Sequence, residues 1–188
     1  IRPLDNPIYA EGALAVLRGN IAPTGCVIKP SACAPKFFKH TGRVLAYDTY
    51  EALKKDTDNP DLDVTEDDIL LLRNYGPQGA GMPESGMLPI PTKLVKQGVR
   101  DMIRISDARM SGTSYGACIL HVSPEAAIGG PLALVQTGDT ITVDVDARSI
   151  HLNVSDEVLS ARKAAWDMAQ ADVKTKIPPR NSSSLLSL

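Results

Sequence analysis

Thr140-Ile141-Thr142-Val143-Asp144-Val145-Asp146-Ala147-Arg148-Ser149-Ile150-His151-Leu152-Asn153-Val154 is the stretch on which the fold class turns. Ile141, Val143 and Val145 alternate with polar neighbours. Ile150, Leu152 and Val154 repeat the alternation after a turn-sized gap at 146–149. Successive side chains on a strand point to opposite faces, so the pattern buries one face and wets the other. Together the two runs predict a hairpin. Further strand signals stand at 14–17, 26–28, 44–47, 69–72, 102–105 and 117–121. Ile69-Leu70-Leu71-Leu72 is apolar on both faces, as a central strand would be.

Helical signals are fewer. Asp48-Thr49-Tyr50-Glu51 is a capping-box pattern and predicts a short helix through Lys55. A second is predicted over 91–97, stopped by Gly98. Ser123-Pro124-Glu125 offers an N-cap, a proline at the first helical position and an early acid, and predicts a third. Ser155-Asp156-Glu157 caps the longest, reaching Val173, with Val158, Leu159, Ala165 and Trp166 on its apolar face. Many strands with few helices predict an α+β domain built around a closed or nearly closed sheet.

The chain's 188 residues suit one domain, large enough to fold without a disulfide or metal. Positions 1–177 are read as that domain and 178–188, after Pro178-Pro179, as a flexible tail. The start, Ile1-Arg2-Pro3, has neither an initiator Met nor a signal peptide, as in a processed fragment or an excised domain. A net charge of -2 speaks against nucleic acid or an anionic membrane as partner. No apolar run approaches the roughly 20 residues of a bilayer span. Cys26, Cys33 and Cys118 are too few and too scattered for a disulfide framework. They suit a reducing, intracellular compartment: cytoplasm, or mitochondrion in a eukaryote. No Cys-x-x-Cys occurs, and buried small hydrophobes are the better reading of these cysteines than a ligand set. The acidic stretch 56–68 resembles a calcium loop only superficially, since Asp61 stands where such a loop needs Gly. It reads as a solvated surface loop.

Two stretches look like more than packing. Asn74-Tyr75-Gly76-Pro77-Gln78-Gly79-Ala80-Gly81-Met82-Pro83-Glu84 follows the apolar strand signal. Its glycines let backbone approach a ligand and can turn N–H groups toward an anion. No Gly-Lys-Ser/Thr follows, so it is not a phosphate-binding P-loop. Glu84 reads equally as an oxygen ligand for a hard cation or as an ordinary surface carboxylate. Ser106-Asp107-Ala108-Arg109-Met110-Ser111-Gly112-Thr113-Ser114-Tyr115-Gly116 also follows a strand signal. Hydroxyls, an Asp and an Arg between glycines suit a small polar ligand, or a tight turn capped by its own hydroxyls. Ser111 could act as nucleophile or base, but no Gly-x-Ser-x-Gly elbow is present. His121 reads better as a structural residue than as a partner of Ser111.

These two stretches resemble the dihydroxy-acid dehydratase, sugar-acid (aldonate) dehydratase and phosphogluconate dehydratase family. The likeness extends to Arg18-Gly19-Asn20-Ile21-Ala22-Pro23, to His121-Val122-Ser123-Pro124-Glu125-Ala126-Ala127-Ile128-Gly129-Gly130-Pro131 and to Val154-Ser155-Asp156-Glu157. It covers nearly the whole chain and matches the family's C-terminal domain alone. The resemblance implies a swivelling β/β/α domain built on a β-barrel with flanking helices. It also implies a hydro-lyase that removes water from a 2,3-dihydroxy acid and leaves a 2-keto acid. The implied cofactors are Mg²⁺ and an iron–sulfur cluster, the cluster held by an N-terminal domain that this chain lacks. Implied partners are that N-terminal domain, a small hydroxy acid and further copies of the enzyme. Glu84 would be the Mg²⁺ ligand and Ser111 the base, ionised by its proximity to the metal. Thr113 would orient substrate or support Ser111. Gly79 and Gly81 would let the loop pass close to substrate. Asp107-Ala108-Arg109-Met110 is similar to the aldonate branch, where branched-chain enzymes tend to read Asp-Gly-Arg-Phe. A pentonate-like aldonate is therefore preferred over a branched-chain dihydroxy acid. The family's fold kept as a non-catalytic binding or assembly domain is the reading from another class. The implied enzyme is inactive as the isolated domain, since one carboxylate cannot complete the octahedral shell of Mg²⁺.

Overall fold

The computed structural model describes residues 2–7, 12–84 and 88–176, the last five of these as backbone. The tail read at 178–188 lies outside the described residues. All the strand signals become strands: β1 (Ala15–Gly19), β2 (Ala22–Ile28), β3 (Lys39–Tyr47), β4 (Ile69–Leu72), β5 (Arg104–Ser106), β6 (Cys118–Ser123), β7 (Thr140–Asp144) and β8 (Ser149–Leu152). They close into one barrel in the order β1-β2-β6-β5-β4-β3-β7-β8. In the hairpin, Ile141 pairs with Leu152 and Val143 with Ile150, which sets both apolar rows on one face. Closure comes from β1 beside β8, where Arg18 meets Ser149. A closed sheet has no free edge to protect. This is the α+β barrel that the strand count predicts, with α1 (Tyr50–Asp58), α2 (Thr92–Lys96) and α3 (Asp156–Lys176) outside it.

The four leucine-like residues of β4 are wholly buried. β3, β4, β5 and β6 are consecutive parallel neighbours. Their carboxyl ends therefore share one rim of the barrel, the usual place for ligands in parallel sheets. Both glycine-rich stretches leave from that rim, one after β4 and one after β5.

Three local expectations shift. The cap of α1 is Thr49, whose hydroxyl accepts from the Ala52 N–H at 3.2 Å. Asp48 instead holds Arg73 at 2.5 Å, and the helix runs on to Asp58, taking in the start of the acidic stretch. No α-helix follows Ser123. A single 3-10 turn (Ala126–Ile128) ends at Gly129, and a second (Pro131–Leu134) follows. Gly129, Gly130 and Pro131 leave no room for a longer helix, and Glu125 turns inward instead of capping one. Helix α3 docks through only half of the predicted apolar face. Leu159 and Trp166 are half-buried, while Val158 and Ala165 are exposed. Arg162 completes the docked stripe. It grips Asp139 through two bonds of 2.6 and 2.9 Å and donates to the Leu134 carbonyl.

Candidate active site

Glu84 and Ser111 share this rim. Residues 83–84 and 109 run side by side: Glu84 and Arg109 form a parallel bridge, and the Arg109 N–H donates to the Pro83 carbonyl at 3.1 Å. Ser111 follows two residues later. The Glu84 carboxylate is half-exposed, with the Arg109 guanidinium 3.5 Å away. Two loops that follow neighbouring strands thus set Glu84 beside Arg109, two positions before Ser111.

The first loop is held from beneath by two buried carboxylates. Glu125 accepts from the N–H of Gln78 at 2.9 and 3.0 Å and from that of Gly79 at 3.1 Å. Asp107, 1% exposed, accepts from Tyr75 N–H at 2.8 Å and from Ala126 N–H at 2.9 Å. Burial pushes the Asp107 carboxyl above the usual carboxylate range, against the pull of those N–H groups. The N–H groups expected to face an anion therefore already serve an internal one. Gly76 is required here because a Cβ would stand 2.2 Å from the Glu125 carboxylate. At Gly79 a Cβ would stand 2.3 Å from the Asn74 carbonyl. Gly81 meets nothing, and its φ of +73° is what calls for glycine there. Gly79 and Gly81 are both exposed.

The second loop is held by its own hydroxyls and by three outside groups. Ser111 Oγ lies 3.1 Å from Thr113 Oγ1 and accepts from the Thr113 N–H at 3.3 Å. Lys29 donates to the carbonyls of Ser111 and Gly112 at 2.9 and 3.0 Å. His121 Nε2 accepts from the Met110 N–H at 2.8 Å, a structural bond and not a contact with the Ser111 hydroxyl. Gly116 closes the loop onto the Ala32 carbonyl. Ser111 is partly exposed and Thr113 exposed, so both hydroxyls are open to a ligand. Among the described residues four non-glycines take φ in the left-handed region, and Asn74, Met82 and His121 are three of them. Such conformations collect where a site is held under strain.

Glu84 suits a hard cation: it is an accessible oxygen donor beside a polar mouth. It suits one only as part of a shell, because no three His, Cys, Asp or Glu side chains converge among the described residues. The cysteines do not suit an iron–sulfur cluster. All three are buried and none is in a disulfide, and burial pushes the thiols of Cys26 and Cys33 up to about 12, away from the thiolate a cluster needs. No described helix is long and apolar enough to cross a membrane.

Asp107, Glu125 and Lys29 escaped the sequence reading as working parts. Asp107 stood inside the quoted motif, and its position at a strand end was the available signal. Glu125 lies in a pattern that reads as a helix start, yet it precedes only a 3-10 turn and its side chain caps nothing there. Nothing local in 29–33 marks Lys29.

The sequence has parallels. Residues 1–185 match the family model described as dihydroxy-acid/6-phosphogluconate dehydratase C-terminal. A 6-deoxy-6-sulfo-D-gluconate dehydratase of Pseudomonas putida is 56% identical over 168 residues, 87% of this chain and 29% of the relative. An L-arabonate dehydratase of Azospirillum brasilense is 48% identical over 172 residues, 91% of this chain and 30% of the relative. A dihydroxy-acid dehydratase of Methanoregula boonei is 44% identical over 167 residues, 88% of this chain and 30% of the relative. The chain thus spans about three tenths of the length of the curated relatives it matches.

Proposed function

Since this chain belongs to the dihydroxy-acid/6-phosphogluconate dehydratase family, as its C-terminal domain, we propose that it supplies part of the active site of a hydro-lyase acting on a 2,3-dihydroxy acid. The observation that carries the reading is the juncture of Glu84 and Ser111 on one rim, through the bridge between Glu84 and Arg109. The favoured substrate is an aldonate such as a pentonate. Relatives named for sugar acids are 47–56% identical to this chain, against 40–44% for those named dihydroxy-acid dehydratases.

Dehydration must break a C–O bond at C3 and take a weakly acidic proton from C2, giving an enol that becomes the 2-keto acid. Ser111 Oγ is the atom proposed to take the C2 proton. An alcohol holds its proton at neutral pH unless its anion is stabilised. The Thr113 N–H already donates to Ser111 Oγ, and the Thr113 hydroxyl stands at donor distance. Lys29 and His121 hold the loop in place so that this oxygen needs little reorganisation. Glu84 would hold Mg²⁺ together with ligands from the N-terminal domain, which would also carry the iron–sulfur cluster. When bound, these groups supply Lewis acidity for the departing hydroxyl and an anchor for the substrate carboxylate. Ser111, Thr113, Gly79 and Gly81 are the proposed substrate contacts. A homo-oligomer in a reducing compartment completes the proposal.

The test is the full-length enzyme assayed for 2-keto acid on a panel of aldonates and branched-chain dihydroxy acids. Ser111→Ala is expected to lose about 10²–10⁴-fold in kcat. Glu84→Gln is expected to raise the Mg²⁺ concentration needed for half-maximal activity. Turnover unchanged in both variants rejects these roles. Faster turnover of branched-chain acids rejects the aldonate preference.

A further inference from the structure

β6 leaves its ladder at one place. Across β2, Leu120 faces Val27 and Ser123 faces Gly25, so His121 and Val122 stand where β2 offers only Cys26. A bulge of this kind re-aims a side chain and is common beside active sites. His121 takes φ +55° there, a conformation non-glycine residues seldom hold unless their surroundings fix it. Two bonds fix it. The His121 N–H donates to the Ala108 carbonyl at 2.9 Å, and Nε2 accepts from the Met110 N–H at 2.8 Å. They fall on either side of Arg109, immediately before Ser111. A backbone N–H can only donate, so Nε2 is bare and the imidazole is neutral, with its hydrogen on Nδ1.

We infer that His121 is a positioning residue for Ser111: its neutral ring fixes the 108–110 turn and, through it, the place of the Ser111 hydroxyl. The inference rests on the proposed role of Ser111. His121 does not touch that hydroxyl; it acts through the Met110 peptide. A proton on Nε2 would set donor against donor and release the turn. Burial holds His121 below its ordinary value near 6.5, so the neutral form prevails at neutral pH. The brace is therefore intact above about 6.5 and is lost as pH falls through the lower folded value. Two carboxylates line the same cavity of about 210 Å³, Asp107 beyond β5 and Glu125 beyond β6. Both accept backbone N–H groups from the first loop. Arg109, between the two bonds, pairs with Glu84.

The experiment uses the full-length enzyme and three variants. His121→Gln keeps an acceptor that does not titrate, His121→Leu removes it, and Ser111→Ala controls for the underlying reading. Hydrogen exchange over 106–115 and kcat and KM against pH are measured for each. In His121→Leu the 106–115 amides are expected to exchange faster, with kcat about tenfold lower or more and KM within about threefold. His121→Gln is expected to keep kcat within about fivefold and to flatten the acid-side fall in rate. The inference is overturned by any of three results: exchange and kcat of His121→Leu matching the unaltered enzyme, His121→Gln failing as badly as His121→Leu, or an acid limb unmoved in His121→Gln. Should Ser111→Ala stay active, the base assignment fails by itself, and the exchange data still decide whether His121 braces the turn.

Discussion

The two glycine-rich loops look alike in composition and are built on opposite plans. The loop at 74–84 wraps its backbone around buried carboxylates, so its N–H groups point inward and its glycines make room for Glu125 and Asn74. The loop at 106–116 keeps the hydroxyls of Ser111 and Thr113 outward, buries Ser106 and Ser114, and is pinned at its backbone by Lys29 and His121. One is a rigid arm that delivers Glu84. The other is a turn that presents Ser111 and Thr113. Glycine richness by itself therefore does not mark a ligand cradle; the partner of each N–H group decides. The comparison predicts that changes in the first loop's supports cost stability, whereas changes in the second loop's hydroxyls cost activity.

The largest stability effect is expected from Glu125→Ala. It removes a buried charged acceptor from the N–H groups of Gln78 and Gly79, at a cost of about 2–3 kcal/mol. Urea unfolding of the chain reads this directly. A shift below about 0.5 kcal/mol would mean that water replaces the carboxylate and that the first loop is no stiffer than the second.

Asp107→Asn comes next and gives the comparison a pH axis. An amide oxygen can serve one of the N–H groups of Tyr75 and Ala126, leaving the other facing an NH₂ group, at about 1–3 kcal/mol. The sign with pH follows from burial. A carboxyl raised in the folded state keeps its proton where the unfolded chain has lost it, so its contribution falls as pH rises past about 4. Asparagine lacks that slope. The stability gap between the two proteins should therefore be widest near pH 4 and narrow toward pH 7. Urea midpoints at several pH values check it, and a gap that widens with pH would show that the carboxylate gains more from its two N–H donors than burial takes away.

The barrel was legible because a half-buried strand repeats every second residue and the repeat survives in Thr140–Asp144 and Ser149–Leu152. The site's outline was legible too, since Glu84 and Ser111 stand on loops after adjacent strand signals. Its supports were not. Glu125 sits 46 residues from the Gly79 N–H it accepts, and Lys29 lies 82 residues from Ser111; no local pattern encodes such pairings. Helix α3 misled for a related reason. Val158 and Ala165 have helical spacing, but the bidentate Arg162–Asp139 pair and the seat of Trp166 over Gly129 decide which face docks.

The smallest expected effect is the sharpest contrast, because it compares two glycines by one change. At Gly112 a Cβ would meet nothing within 4 Å, and its φ lies outside the left-handed region. Gly112→Ala should shift stability by no more than about 0.5 kcal/mol, since a stiffer unfolded chain offsets any small cost in the folded state. At Gly79 the same Cβ would stand 2.3 Å from the Asn74 carbonyl, a backbone atom that cannot step aside without moving the arm. Gly79→Ala should therefore cost about 1–3 kcal/mol, the usual range for overpacking. Thermal melts of the two variants side by side are sufficient. If both alanines cost the same, the loops differ in sequence only, and the distinction between an arm and a presenting turn is lost.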